Sequence, residues 1–273
     1  MRKILFAIQF LVTASFAQVP PPGDSQSEAI LLLNGIAHLG NGKVIESSAI
    51  GFEKGKLTYV GSSSDLIDKS KYKVTDIAGK HVYPGFILPS TDLGLNEVAA
   101  VRSTQDKAET GSLKPNVRSI IAYNTDSEII PTLRFNGILT AQIAPKGGMI
   151  AGTSSIVHLD AWNWEDALIE EDDAIHLFWP RKRIFQTTAK PEEVAKSTEQ
   201  YESAIQLLSN LFQASKSYSE AKRKKINLKL EAMKGLFDGS KQLFVNATKA
   251  KDIIRAIEFA KGYGVKKIVL VDA

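Results

Sequence analysis

The 273-residue sequence contains no cysteine. Disulfides, thiolate-ligated zinc, iron–sulfur clusters and thiol catalysis are excluded together. Histidine is scarce as well. His38, His81, His158 and His176 are the whole set, and no two lie two or four positions apart, so no local His-pair metal motif exists. Charge of one sign is also lacking. Lys plus Arg number 34 and Asp plus Glu 30, a net +4, and Arg2 and Lys3 lie in a segment read below as removed, which leaves +2. So small a surplus gives no support to nucleic-acid binding, which needs clustered basic charge. Beyond residue 17 no apolar run approaches the roughly 20 residues of a bilayer span. Internal repeats are absent. What is present is 44% hydrophobic and 23% charged residues, a globular balance that rules out wholesale disorder and collagen-like fibres.

Residues 1–17 open with Met1-Arg2-Lys3, continue as a mostly apolar run from Ile4 to Phe16 and close on Ser15-Phe16-Ala17. A charged start, a short apolar stretch and a small-x-small end are the three parts of a cleaved export signal. Gln9, Thr13 and Ser15 interrupt the run, against an uncleaved anchor. The mature chain is expected to be exported, periplasmic or secreted, and to begin with the extended leader Gln18 to Gly23.

Between residues 29 and 62, short apolar runs alternate with the turn signals Asn34-Gly35, Asn41-Gly42 and Lys54-Gly55, which predicts small antiparallel strands in a β-sandwich over 18–83. The texture changes after that. Strand-like runs recur at 137–143, 155–159, 242–246 and 267–271, and the last two flank an amphipathic helix from Lys249 to Tyr263. Strand, helix and strand over about 30 residues make a βαβ unit, so 84–273 is expected to hold a parallel sheet or barrel. Residues 192–235 read as a helical insertion of two helices, with Tyr201, Ile205, Leu208, Leu211 and Phe212 on one stripe. The basic run Lys222–Lys225 reads as a solvated helix end. Because Val271-Asp272-Ala273 closes the sequence at the end of an apolar strand, the chain reads as the N-terminal portion of a longer protein.

Several of these segments together resemble the amidohydrolase superfamily, in particular its imidazolonepropionase-like secreted members. The text around Leu33-Asn34-Gly35 and Gly55-Lys56-Leu57-Thr58-Tyr59-Val60-Gly61 is similar to the family's N-terminal sandwich. Gly79-Lys80-His81-Val82-Tyr83-Pro84-Gly85-Phe86-Ile87 resembles the entry into its first barrel strand, and Ala247 to Ala260 with Lys267 to Val271 resembles a later βα unit. The resemblance implies an α/β fold, a partial (β/α)8 TIM-like barrel preceded by a small β-sandwich. It also implies a hydrolase of non-peptide C–N bonds in amides or cyclic amides, with a zinc-like divalent metal at the C-terminal ends of the strands. The family's first-strand His-x-His falls on Ser90 and Asp92, and its later His positions fall on Asn246 and near Asp272. Its eighth-strand aspartate would lie beyond Ala273.

Asp92 suits a hard cation, whereas Ser90 is a poor ligand for zinc and Asn246 a weak one. Two readings stay open. One is a hydrolase with an atypical metal site around Asp92. The other is a non-catalytic relative that acts as a binding subunit, as a homo-oligomer or beside an active paralogous partner. His158 and His176 each sit in an apolar strand and read as structural residues before they read as ligands. The acidic stretch from Asp160 to Asp173 reads as a solvated turn, Trp162 and Trp164 as cleft or packing residues, and Gly147-Gly148 as a tight turn.

Overall fold

A computed structural model describes residues 21–24, 26–182, 190–222 and 225–272. The export signal expected at 1–17, together with Arg223 and Lys224 of the basic run, lies outside the described residues. The chain divides into two compact units, Pro21–Phe86 and the residues from Ile87 onward.

The first unit is one five-stranded sheet. Strands β1 (Ile30–His38), β2 (Val44–Glu53), β3 (Lys56–Ser62) and β4 (Lys73–Asp76) run in the order β3-β2-β1-β4, and β5 (His81–Val82) also pairs with β1. Pairing of β1 with β4 and with β5 is parallel. A single mixed sheet thus stands where the sequence suggested an antiparallel sandwich. Lys54 and Gly55 make the β2–β3 hairpin turn with φ of 50° and 72°, the doubly left-handed geometry that suits a two-residue hairpin. Asn34-Gly35 is not a turn. It lies inside β1 as a register shift opposite Ala49 and Ser48, with Asn34 at φ 66°. A Cβ on Gly35 would stand 2.5 Å from the Ile77 Cδ1 atom, so Ile77 would have to shift to admit a side chain there. Leu31, Leu33 and Ala49 form the buried centre of this sheet.

The second unit is built on a six-stranded sheet of β6 (Phe86–Thr91), β7 (Ile138–Ile143), β8 (Ile150–His158), β9 (Leu168–Phe178), β10 (Gln242–Asn246) and β11 (Ile268–Val271). Its order is β11-β10-β9-β8-β7-β6. The β9-β10-β11 part is parallel, as the βαβ pattern predicts. The β7-β8-β9 part is antiparallel and departs from a regular βα repeat. Connection length is the reason. Only six residues join β7 to β8, turning at Gly147 and Gly148 with φ of 80° and 77°, and a parallel crossover needs a dozen or more. The expected barrel is accordingly a mixed α/β half-barrel sheet among the described residues.

Helices α1 (Ile129–Phe135), α2 (Trp164–Ala167), α3 (Pro191–Glu220), α4 (Leu228–Met233), α5 (Gly235–Asp238) and α6 (Ala250–Tyr263) complete this unit. α3 starts with Pro191 in its first turn, and the Glu193 carboxylate accepts from the Lys190 N–H at 3.3 Å, a start that proline and a first-turn acid both favour. α6 ends at Gly264, whose φ of 87° lets the Val265 N–H reach back to the Ala260 carbonyl. Leu208 and Phe212 of the predicted stripe bury fully against Ile175, Leu177, Leu243 and Val245 of the sheet. Burying each such side chain stabilises by about 1.5–3 kcal/mol. A second cluster packs Ile120, Ile130, Ala141, Ile143 and Val157 on the other half of the sheet. No helix among the described residues is long and apolar enough to cross a membrane.

The acidic stretch is corrected by the structure. Glu170 to Asp173 belong to β9 rather than to a turn, and Asp173 is buried. Glu171 and Asp172 pair with Arg118, which supplies the charge that makes strand placement tolerable.

Candidate functional site

β7 runs antiparallel to β8 and β8 antiparallel to β9, so β7, β9, β10 and β11 all end on one side of the sheet. A cavity of about 510 Å³ opens there. Ser90 and Lys146 reach it from the β6–β7 edge, His176 and Phe178 from β9, and Asn246 and Asp272 from the β10–β11 edge. Residues from both edges of a six-stranded sheet line one cavity only because the sheet curls, since neighbouring strands lie about 4.8 Å apart. The C-terminal strand ends of a barrel-type sheet are where such folds carry their sites.

Three of the four positions singled out from sequence, Ser90, Asn246 and Asp272, meet in this cavity. Two of them are held in the left-handed backbone region, Ser90 at φ 48° and Asp272 at φ 58°. Non-glycine residues in that region cost of order 1–3 kcal/mol and cluster at sites. The Ser90 N–H donates to Gln142 Oε1 at 3.1 Å. Asn246 is buried and donates from Nδ2 to the Leu177 carbonyl at 3.4 Å.

Asp92, the fourth position, does not line the cavity. Its carboxylate pairs with Lys146 at 3.1 Å and with Lys107 at 3.7 Å. Lys146, unmarked in the sequence, is therefore the cation at the mouth. It follows Pro145 in the short β7–β8 connection, and only the fold shows where that connection lies.

His176, which reads from the sequence as a structural histidine before a ligand, is buried in β9 beside this cavity. The residue lines the cavity but is 1% exposed, and its Nε2, itself buried, has no hydrogen-bond partner. Its ring leans on Phe244 at a centroid distance of 5.1 Å. Burial pushes its pKa down to about 4, so the imidazole is neutral at physiological pH. An orphaned buried polar atom beside a cavity is rare in a folded interior and marks the position for attention as a site. His158 is different, because its Nε2 contacts the Asp166 carbonyl at 2.8 Å and is satisfied. Trp162 is largely exposed, and Trp164 packs beside the second hydrophobic cluster.

A buried polar string runs from the Ser90 backbone into the sheet. Gln142 accepts from Ser90 and donates from Nε2 to Asp173 at 2.6 Å, while the Ser154 hydroxyl donates to the other Asp173 oxygen at 2.8 Å. Burial raises the Asp173 pKa, and the two hydrogen bonds oppose that rise. The Lys241 ammonium, also partly buried, is lowered by desolvation and held up by Asp172 and Asp173.

The cavity fits a zinc-like ion poorly. The polar residues that line it carry a hydroxyl, an amide, one carboxylate, one buried imidazole and a lysine whose ammonium is paired with Asp92. Asp92 is already neutralised by two lysines. Among the described residues, no three His, Asp or Glu converge at ligating distance. Zinc is held by three or four such groups, and these residues do not supply them.

No family model matches this sequence, and no curated protein matches it. Among solved structures the chain is similar to an amidohydrolase from Thermotoga maritima, at 19% identity and a TM-score of 0.67, over 88% of this chain and 63% of that one. It is also similar to a prolidase complexed with N-methylphosphonate-L-proline, at 12% identity and a TM-score of 0.39, over 88% of this chain and 60% of that one. The fold is amidohydrolase-like. The chain spans less than two thirds of the length of either structure.

Proposed function

We propose that this chain is an amidohydrolase relative whose strand-end cavity binds a small amide or cyclic amide without metal-assisted hydrolysis. The single observation that supports this is Lys146, which lines the cavity and whose ammonium takes up the carboxylate of Asp92, the position that the family resemblance assigns to a metal ligand. Ser90, Asn246 and the neutral His176 offer hydrogen bonds to the two faces of an amide, its N–H and its carbonyl. Phe178 and Phe244 offer it an apolar wall. A general base works best with a pKa near the operating pH. His176, pushed down to about 4, is a hydrogen-bonding group rather than such a base. As an exported protein, in the periplasm or outside the cell, it would serve as a binding subunit, self-associated or beside an active paralogue.

A second reading is a hydrolase of non-peptide C–N bonds with an atypical site. It is favoured by the placement of the cavity at the strand ends and by the likeness to the Thermotoga fold. Calorimetric titration with a panel of linear and cyclic amides, with and without chelator, and with product analysis, separates the two. The binding reading expects saturable binding that chelator leaves unchanged, and no product. Chelator-sensitive release of amine or acid would overturn it.

A further inference from the structure

His38 and His81 lie 43 positions apart, yet β1 and β5 pair in parallel with Ile36 opposite His81. That register brings both imidazoles to one end of the same sheet. His38 Nε2 stands 2.9 Å from His81 Nδ1. The ring centroids are 5.2 Å apart, so the closest approach is nitrogen to nitrogen. Tyr83 lies flat against His38, with centroids 4.3 Å apart and planes within 7°. His81 is exposed and His38 half-buried, which leaves the facing nitrogens within reach of an ion from solvent.

We propose that His38 and His81 form a bidentate site for a late first-row divalent cation, Cu2+ or Ni2+. Two nitrogens each about 2.0 Å from an ion and at a right angle stand about 2.8 Å apart, against about 3.3 Å in a tetrahedron. The observed 2.9 Å is the length of the ring-to-ring hydrogen bond of the metal-free pair, so both rings turn for their lone pairs to meet one ion at that spacing, and imidazole ligation with the divalent affinity order favours Cu2+ and Ni2+. In the metal-free pair one ring donates its N–H to the other. On binding, the donating ring moves that hydrogen to its opposite nitrogen. Both rings stay neutral, the count of bound protons is unchanged, and two lone pairs turn toward the ion. Among the described residues no third His, Asp or Glu joins the pair, so water completes the coordination plane. The site uses residues of the Pro21–Phe86 unit alone and is independent of the amide-binding cavity.

The test is titration of the whole chain with Cu2+ in a non-coordinating buffer, read by calorimetry and by electron paramagnetic resonance. One equivalent bound with two nitrogen couplings is expected. His38→Ala and His81→Ala should each weaken binding at least about tenfold, because each turns a chelate into a single-ring contact. His158→Ala and His176→Ala should leave the affinity unchanged. Circular dichroism of each variant identifies loss of fold as the cause where it occurs, and His81→Gln provides a milder replacement. Binding retained in well-folded His38 and His81 variants would overturn the proposal. So would binding no tighter than that of free imidazole.

Discussion

The ammonium of Lys146 stands 3.1 Å from the carboxylate of Asp92. The pair couples a residue of the cavity lining to Asp92, which itself stands outside the lining. Lys107 approaches the same carboxylate at 3.7 Å, so Asp92 is shared between two cations before any ligand arrives.

Rebuilding a metal site should therefore take more than histidines. Ser90 already has φ of 48°, a region histidine enters more readily than most side chains. The double variant Ser90→His, Asp92→His is expected to bind zinc weakly, because Lys146 stays at the mouth as an unpaired cation. Adding Lys146→Ala should tighten zinc binding at least about tenfold, as like charge is removed from beside a divalent ion. Zinc calorimetry on the double and triple variants checks this, and equal affinities would show that Lys146 is not the obstacle.

His176 sets an acid sensitivity. Its folded pKa, about 4, lies below the ordinary histidine value of 6.5. A depressed folded value contributes stability above the unfolded pKa and loses it as pH falls through the folded one. The loss thus runs from about pH 6.5 to about 4, and amounts to up to about 3 kcal/mol. His176→Phe, which keeps the contact with Phe244, should remove this slope. Urea unfolding of both proteins at neutral pH and at pH near 4.5 measures the difference, and parallel losses would sink the prediction.

Asp173 acts in the opposite sense. Its pKa is raised by burial, so its contribution is full below the ordinary carboxylate value and is lost as pH rises through the raised one. Asp173→Asn should flatten stability over that rise. Gln142→Leu leaves Asp173 and the Ser90 N–H each short of a partner, at about 1–3 kcal/mol for a buried unsatisfied group. Thermal melts across the acid range distinguish the titration from the lost hydrogen bonds, since only the former varies with pH.

Gly152 sits opposite His176 in the β8–β9 pairing, at φ 139°. A Cβ there would press into the Val117 carbonyl oxygen, which accepts from the Thr153 N–H at 2.7 Å. Gly152→Ala is expected to destabilise by about 2 kcal/mol or more, from backbone strain and a displaced neighbour. A lower urea midpoint with unchanged slope would fit. An unchanged midpoint would mean that the chain relaxes around the methyl group.

Much of the fold was legible because its signals are local. Apolar runs at 242–246 and 267–271 and the stripe between them need only their own periodicity, and β10, α6 and β11 form where that periodicity places them. The bulge at Asn34-Gly35 was not legible. An Asn-Gly dipeptide serves a turn or a register shift equally, and the choice belongs to the partner strand. The antiparallel β7-β8-β9 block was missed for a related reason, because strand direction follows from connection length and packing, which the apolar pattern of one strand does not carry.

By itself the sequence determined the absence of thiol chemistry, the near-neutral charge, the residues that stand at 90, 92, 246 and 272, and the strand–helix–strand run over 242–271. These follow from residue identity and short-range spacing. Only the tertiary structure decided that Asp92 pairs with Lys146, that His176 is dry and orphaned, and that His38 meets His81. Each of these depends on two residues that the curl or register of a sheet brings together from distant parts of the chain. The energies involved, desolvation and short-range Coulomb attraction, exist only once those parts are in contact.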